Sequence, residues 1–455
     1  MMTMSRIVLR LFLVLTLVFT VSGSSMGQGS PTLQLLAHVN DYASARYNDC
    51  WGYTAPGGRE YAFLGVRNGT SILDITDAPA VREVAFIPGP TSTWKDIKTY
   101  RTYAYVVTES SGGMQILDLS QLPDTVTLAS TYTGFQTSHN ISIDTARAML
   151  YAEGNGPGPG TEPVRALSLS DPVNPVQVSA FGVECHDIFA RNGTVYVSEG
   201  NSHSIGIYDL STPSAPSFIA RFTIPTNGYV HNAWPTEDGR YLMTTEETFG
   251  RTVKLWDIDR IDSVQLTGQY LASAAMAHNT HIKGHYAYIS HYAQGLRIVD
   301  ISDPANIVEV GHYDTFSGSG LGAWGAFPFF SSGKVLVSDV ETGLYVVNFP
   351  GGATSAGRMA SIPGTYRLGN NYPNPFNPST TITFEIPHAG QIRLTVLDLL
   401  GRKIRILLDE YRDAGRHQVR WDGRSDTGIP VVSGTYFCRL EAGGYVGSRK
   451  MLLLK

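Results

Sequence analysis

The stretch "LRIVDISDP", residues 296–304, decides how this chain folds. It reads as a short strand of branched apolar residues, closed by an Asp and followed by a Pro-containing turn. Variants recur along the chain: "SILDITD" at 71, "MQILDLS" at 114, "RALSLSDP" at 165, "IGIYDLS" at 205, "VKLWDID" at 253 and "LYVVNFP" at 344. The residues that close the strand are Asp74, Asp118, Ser168, Asp209, Asp257, Asp300 and Asn348, spaced 44, 50, 41, 48, 43 and 48 apart. A period near 45 suits four short strands per copy, which is one blade of a β-propeller. Pro at 79, 172, 213 and 304 sits where a missing N–H costs nothing. The Asp carboxylate can accept from nearby backbone N–H groups in the same turn.

Composition agrees with this reading. The 455 residues exceed one ordinary core, Gly is frequent (47), and only 16% of residues are charged. No long stretch has a 3.6-residue apolar period, so an all-β fold with many turns is expected. The formal charge is −5 with no basic stripe, which excludes nucleic acid as a partner.

The seventh copy lacks a fourth strand before the composition changes at 351. A fitting segment lies at the other end: "TLQLLAHVNDY", residues 32–42, resembles the outer strand "IVEVGHYDTF". Residues 31–350 are therefore expected to form a seven-bladed propeller, closed by the segment Gln34 to Val39. Closure removes an exposed sheet edge.

Aligned by the repeat, the opening strands place Trp51, Lys95, His139, His186, His231, His278 and Trp324 at one position. Gly52, Asp96, Asn140, Asp187, Asn232, Asn279 and Gly325 follow them. The ends of the second strands form another series: Arg67, Glu109, Glu153, Glu199, Glu246, His291 and Asp339. In a propeller both series lie near the central channel at one face. Two readings follow. The polar residues tie neighbouring blades by hydrogen bonds. Alternatively, His139, His186, His231 and His278, with Glu153, Glu199, Glu246 and His291, hold a divalent metal, Zn, Mn, Fe or Ni. Hydrolysis would follow if one coordination position stayed open to water. No HExxH motif or GxSxG elbow is present, so no catalytic residue is assigned. His281 and His285 fall off the register and read as ordinary strand and turn residues.

Arg6 and Arg10 precede an apolar run from Leu11 to Val21, followed by small residues. This is the pattern of a secretory signal peptide, assigned to residues 1–27. The run is too short to span a bilayer as a helix, and no later stretch is long and apolar enough. The mature chain is thus expected to carry no transmembrane helix. Cys50, Cys185 and Cys438 are too sparse for a disulfide scaffold. Cys50 and Cys185 fall in blades on nearly opposite sides of the ring, so buried free thiols are expected. The Gly/Pro-dense insert "EGNGPGPGTEP", residues 153–163, reads as a surface loop.

A small-residue linker, 351–363, leads into a last unit, 364–455. Its period-2 runs, among them "TTITFEIP" and "GTYFCRLEAGG", predict a small Ig-like antiparallel β-sandwich. The segments "LGNNYPNPFNPSTTITFEIP", "LTVLDLLGRKIRIL", "WDGRSDTGIPVVSGTYFCRLEAGG" and "KMLLLK" resemble the type A C-terminal sorting domain of the type IX secretion system. The resemblance implies that residues 364–455 engage that machinery. It further implies export across the outer membrane of a Bacteroidetes-like bacterium, removal of the domain, and release or surface attachment.

"LRIVDISDP" and "SILDITD" also resemble the LVIVD-repeat surface proteins of the "choice-of-anchor B" group, over residues 31–350. That resemblance implies a surface propeller with a variable anchor and brings no reaction. The expected role is a binding module for a protein or glycan. The alternatives are a metal-dependent hydrolase and a purely structural surface component.

Overall fold

The computed structural model describes residues 33–153, 163–272, 276–318, 321–349, 366–369, 371, 374–387, 390–412 and 415–454. The targeting segment, most of the 153–163 insert and the linker lie outside the described residues. Every described regular element is a strand. No helix among the described residues is long and apolar enough to cross a membrane.

Seven four-stranded antiparallel sheets follow one another along the chain, the arrangement of a β-propeller. In the fourth, Asp187–Arg191 is innermost, then Thr194–Glu199, Ser204–Asp209 and Ser217–Thr223. The repeated "IYDLS"-type motif is the third strand, as its apolar run predicts. Its closing side chain caps the turn: Asp74, Asp118, Asp209, Asp257 and Asp300 each accept from the N–H two residues on. Ser168, which lacks the carboxylate, accepts the same bond through its hydroxyl from Ser170 N at 3.3 Å.

The strand Gln34–Val39 pairs with Gly343–Asn348 as the outer strand of the seventh sheet. It reproduces a local detail as well. In the other six sheets a bulge interrupts the pairing of the third strand with the fourth at the same point, as at Ile298/Val299. Gln34–Val39 carries its bulge between Leu35 and Ala37.

The core lies between the sheets. Apolar clusters join each sheet to the next, such as Ile205, Val230, Leu242 and Trp256 between the fourth and fifth. One cluster joins Phe327, Leu336 and Val346 of the seventh sheet to Tyr47, Ala62 and Leu64 of the first. Innermost strands also pack in order, and Ala323–Phe327 packs on Tyr47–Thr54.

The C-terminal unit has two antiparallel sheets. One contains Arg367–Leu368, Thr380–Ile386 and Gly415–Trp421, and the other four strands between Gly390 and Leu453. Trp421, Phe384, Leu394 and Leu440 fill the space between them, which makes it a sandwich. Cys50, Cys185 and Cys438 are free; Cys185 is only partly buried.

Candidate metal centre

The start of each innermost strand and the end of the second strand meet at one mouth of the channel. There the aligned histidines form a continuous arc. Ring centroids are 4.6 Å apart for His139 and His186, 4.3 Å for His186 and His231, and 4.1 Å for His231 and His278. Trp324 continues the arc 3.9 Å from His278, and Trp94 stacks on Trp324 at 4.3 Å. In the second sheet Lys95 turns away and donates to Pro90 O at 2.8 Å.

The first sheet corrects the alignment. A bulge between Tyr47 and Cys50 shifts its register, so Asn48 and Asp49, not Trp51 and Gly52, stand at the arc position and the one after it. Asn48 donates to Thr93 O at 3.3 Å. Trp51 lies three residues deeper, edge-on to Phe327 at 5.0 Å. Indole and ladder spacing in the sequence carry no mark of such an insertion.

The two kinds of repeated polar residue have separate tasks. The residue after the arc position ties sheets together. Asn140 Oδ1 accepts from Ile188 N at 3.1 Å, and Asp96 Oδ2 from Ile141 N at 2.7 Å. Asn232 accepts from Thr280 N at 3.2 Å and donates to Asp187 at 2.8 Å. The imidazoles are held differently. Nδ1 of His139 meets Glu109 Oε1 at 2.7 Å, Nδ1 of His186 meets the Tyr229 hydroxyl at 2.9 Å, and Nδ1 of His278 meets Trp324 O at 2.7 Å. Nε2 of His186 and of His278 is buried with no hydrogen-bond partner, as is Nδ1 of His231. A fixed Nδ1 with a bare Nε2 is the state of a histidine prepared to ligate a metal.

One donor atom from each of His139, His186 and His231 lies within 4.8 Å of the others, and so do those of His231, Glu247 and His278. Glu247 Oε2 is 3.7 Å from His231 Nε2, and the Tyr292 hydroxyl donates to its other oxygen. Burial pushes His186 down to about 2 and His278 to about 3, and holds His231 well below the usual imidazole range. These rings are neutral at physiological pH, as ligands must be. Burial also opposes charge on His139, but the Glu109 bond and the Glu153 and Asp187 carboxylates outweigh it and raise His139 to about 9.

The remaining sequence candidates are placed as follows. Glu153 accepts the backbone N–H of His139 at 2.6 Å. Glu199 takes both guanidinium N–H groups of Arg221, at 2.6 and 2.7 Å, and the Ser204 hydroxyl. Glu246 is paired with Lys254 and accepts from Thr226 and from Gly228 N. His291 is buried with neither ring nitrogen hydrogen-bonded, and belongs to neither donor group. Glu199 and Glu246 face their third strands because of the pleat. The next residue faces the other way, which is how Glu247 reaches the channel. The adjacent pair "EE" at 246–247 was the available signal. Glu109 stood in the second-strand series, while Tyr229, Tyr292 and Trp94 had no repeat signature.

The comparisons with known proteins bear on the sixth sheet. Residues 274–315 match the LVIVD repeat. That span begins just before His278 and ends after the outer strand Val308–Tyr313. No curated protein matches this chain. Among solved structures, one similar chain is PorZ of Porphyromonas gingivalis, described as an essential bacterial surface component of the type-IX secretion system. It is 12% identical with a TM-score of 0.48, and the match covers 92% of this chain and 60% of PorZ.

Proposed function

We propose that this protein is an exported, surface-destined β-propeller that acts as a binding module and holds a divalent metal ion at the histidine arc. In this reading residues 1–27 direct secretion, residues 31–350 form a closed seven-bladed ring, and 351–363 is a linker. Residues 364–455 engage the type IX secretion machinery, and the product is released or attached at the cell surface. The packing of Phe327 against the first sheet supports closure. The repeat match at 274–315 supports the choice-of-anchor B reading.

One observation carries the metal assignment: His139, His186 and His278 each have Nδ1 engaged by a partner, and the donor atoms of four histidines and Glu247 cluster in two overlapping groups. The ion would be held by His139, His186 and His231, or by His231, Glu247 and His278; His139, cationic in the metal-free protein, would ligate on giving up its proton. A set this rich in imidazole favours Zn²⁺, Fe²⁺ or Ni²⁺ over Mn²⁺. The test is plasma mass spectrometry of the desalted full chain. Near-stoichiometric metal, lost in the His186→Ala/His231→Ala double variant, is the expected result. Absence of metal after incubation with each cation would leave only a binding or structural role.

A second reading, metal-assisted hydrolysis, draws support from the size of each donor group. Three protein ligands leave a tetrahedral ion one position for water. A metal-dependent release of p-nitrophenol from ester or phosphate substrates would establish it. A metal-loaded protein inert toward both would restrict the role to binding.

A further inference from the structure

Below the Asn/Asp belt, the channel widens into a chamber of about 420 Å³ that opens at the mouth opposite the histidines. Its two sides differ in chemistry. Trp51, Trp234 and Phe329 form an aromatic wall contributed by the first, fifth and seventh sheets. Lys98, Ser142 and Asn140, from the second and third sheets, face it with hydroxyl, amide and ammonium groups. Nothing in the metal centre uses this chamber.

The lining disfavours several ligand classes. A planar heterocycle sandwiched between two aromatic rings needs parallel faces with a gap between them. Here Trp51 is inclined 47° to Phe329, Trp234 is inclined 55° to His281, and the one parallel pair, Trp234 with Phe329, is already closed at 5.7 Å. The chamber is rounded, not a slot. A cationic ligand is disfavoured because the chain supplies its own cation. Lys98 Nζ sits 4.4 Å from the centre of the Trp51 ring and is paired with Asp96. An organic anion would meet Asp96 and Asp187 on the belt. At the rim, Asp144 and Glu237 are already bonded to the N–H groups of Gly193 and Gly284.

What remains is a bulky, neutral ring with one apolar face and a polar edge that both donates and accepts. We propose that this chamber binds a neutral saccharide of one or two pyranose rings, packed against Trp51, Trp234 and Phe329 and hydrogen-bonded by Lys98, Ser142 and Asn140. The volume lies in the range of small-molecule sites. The proposal rests on the reading of the protein as a binding module and is independent of the metal.

The test is isothermal titration of the full chain with lactose, maltose and cellobiose, alongside choline, glucuronate and adenosine. Saturable heat from at least one neutral disaccharide is expected, unchanged by EDTA and weakened at least about tenfold in Trp234→Ala. If Trp234→Ala does not fold, the sugar must protect tryptophan in the unaltered protein from N-bromosuccinimide oxidation. No binding by any of the disaccharides, or tighter binding of choline, glucuronate or adenosine, overturns the proposal. A chain that ignores all the sugars overturns this inference alone, whether or not it takes up metal; the binding-module reading then rests on a protein or larger glycan partner.

Discussion

His278 Nδ1 lies 2.7 Å from the carbonyl oxygen of Trp324, across the boundary between the sixth and seventh sheets. The carbonyl can only accept, so the imidazole proton resides on Nδ1 and Nε2 presents a lone pair. Glu109 likewise only accepts from His139, whose Nε2 is freed when that cationic ring gives up a proton, whereas the Tyr229 hydroxyl can donate or accept and does not by itself select the His186 tautomer. The residues behind the arc therefore decide which nitrogen is available.

Glu109→Gln should weaken metal binding by about 10- to 100-fold, the usual effect of altering a group behind a metal-bound histidine. The carboxamide can present its N–H₂ as well as its oxygen to Nδ1, so it no longer enforces the tautomer that leaves Nε2 free. Competition with a chromogenic chelator would measure this. An unchanged affinity would exclude His139 from the ligand set.

Asn232→Ala should cost about 2–4 kcal/mol, because it strands Thr280 N and an oxygen of the buried Asp187 together. His231→Phe, which keeps a ring at this buried position, should cost less in the metal-free protein, since His231 Nδ1 has no hydrogen-bond partner to lose. Chemical denaturation of both variants in chelator checks the order. The reverse order would mean that the histidines, not the Asn/Asp belt, tie the sheets.

Deletion of residues 34–39 should lower the melting temperature by several degrees and expose Gly343–Asn348 to protease, although the two segments are about 300 residues apart in sequence. Ala37 and Val39 are buried, and the deletion leaves the partner strand an open edge. Mass mapping of early cleavage sites reads the outcome. Cleavage spread evenly over all seven sheets would contradict it.

Acid should destabilise the protein partly through His281. Burial, with the nearby Lys98 charge, lowers its pKa to about 3, whereas the unfolded chain titrates near 6.5. The unfolded state thus binds more protons between these values. The penalty is absent above about pH 6.5, grows as pH falls, and is complete near pH 3. Asp187, raised to about 6 chiefly by burial, acts in the opposite sense, favouring the fold as pH drops from 6 towards its unfolded value. His281→Phe keeps a ring against Trp234 and Phe329 and removes the titration. Its melting temperature should fall less steeply than that of the unaltered protein between pH 7 and 4. Parallel curves would show that His281 does not titrate in this way.

Much of the fold was legible in the sequence. The period near 45, the third-strand motif and its capping Asp are local patterns, and local hydrogen bonding produces them. The outer strand at Gln34–Val39 was legible too, because it carries the same alternation as the other fourth strands. For the centre, spacing alone placed His139, His186, His231 and His278 together. It failed for Trp51, because the bulge after Tyr47 changes the residue count without changing the composition.

The sequence by itself determined an all-β chain of repeated four-strand units with four equivalent histidines, since repeat length and strand alternation are properties of neighbouring residues. Tertiary structure alone decided which donors converge. It turned Glu246 outward onto Lys254 and Glu247 inward onto His231. It chose the imidazole nitrogens through Glu109 and Trp324, set the Tyr229 hydroxyl against His186 Nδ1, and joined Trp51, Trp234 and Lys98 in one chamber. The physical reason is distance along the chain and strand phase: these contacts join residues from 8 to about 180 positions apart, and bulges and pleat phase, which no composition records, set their directions.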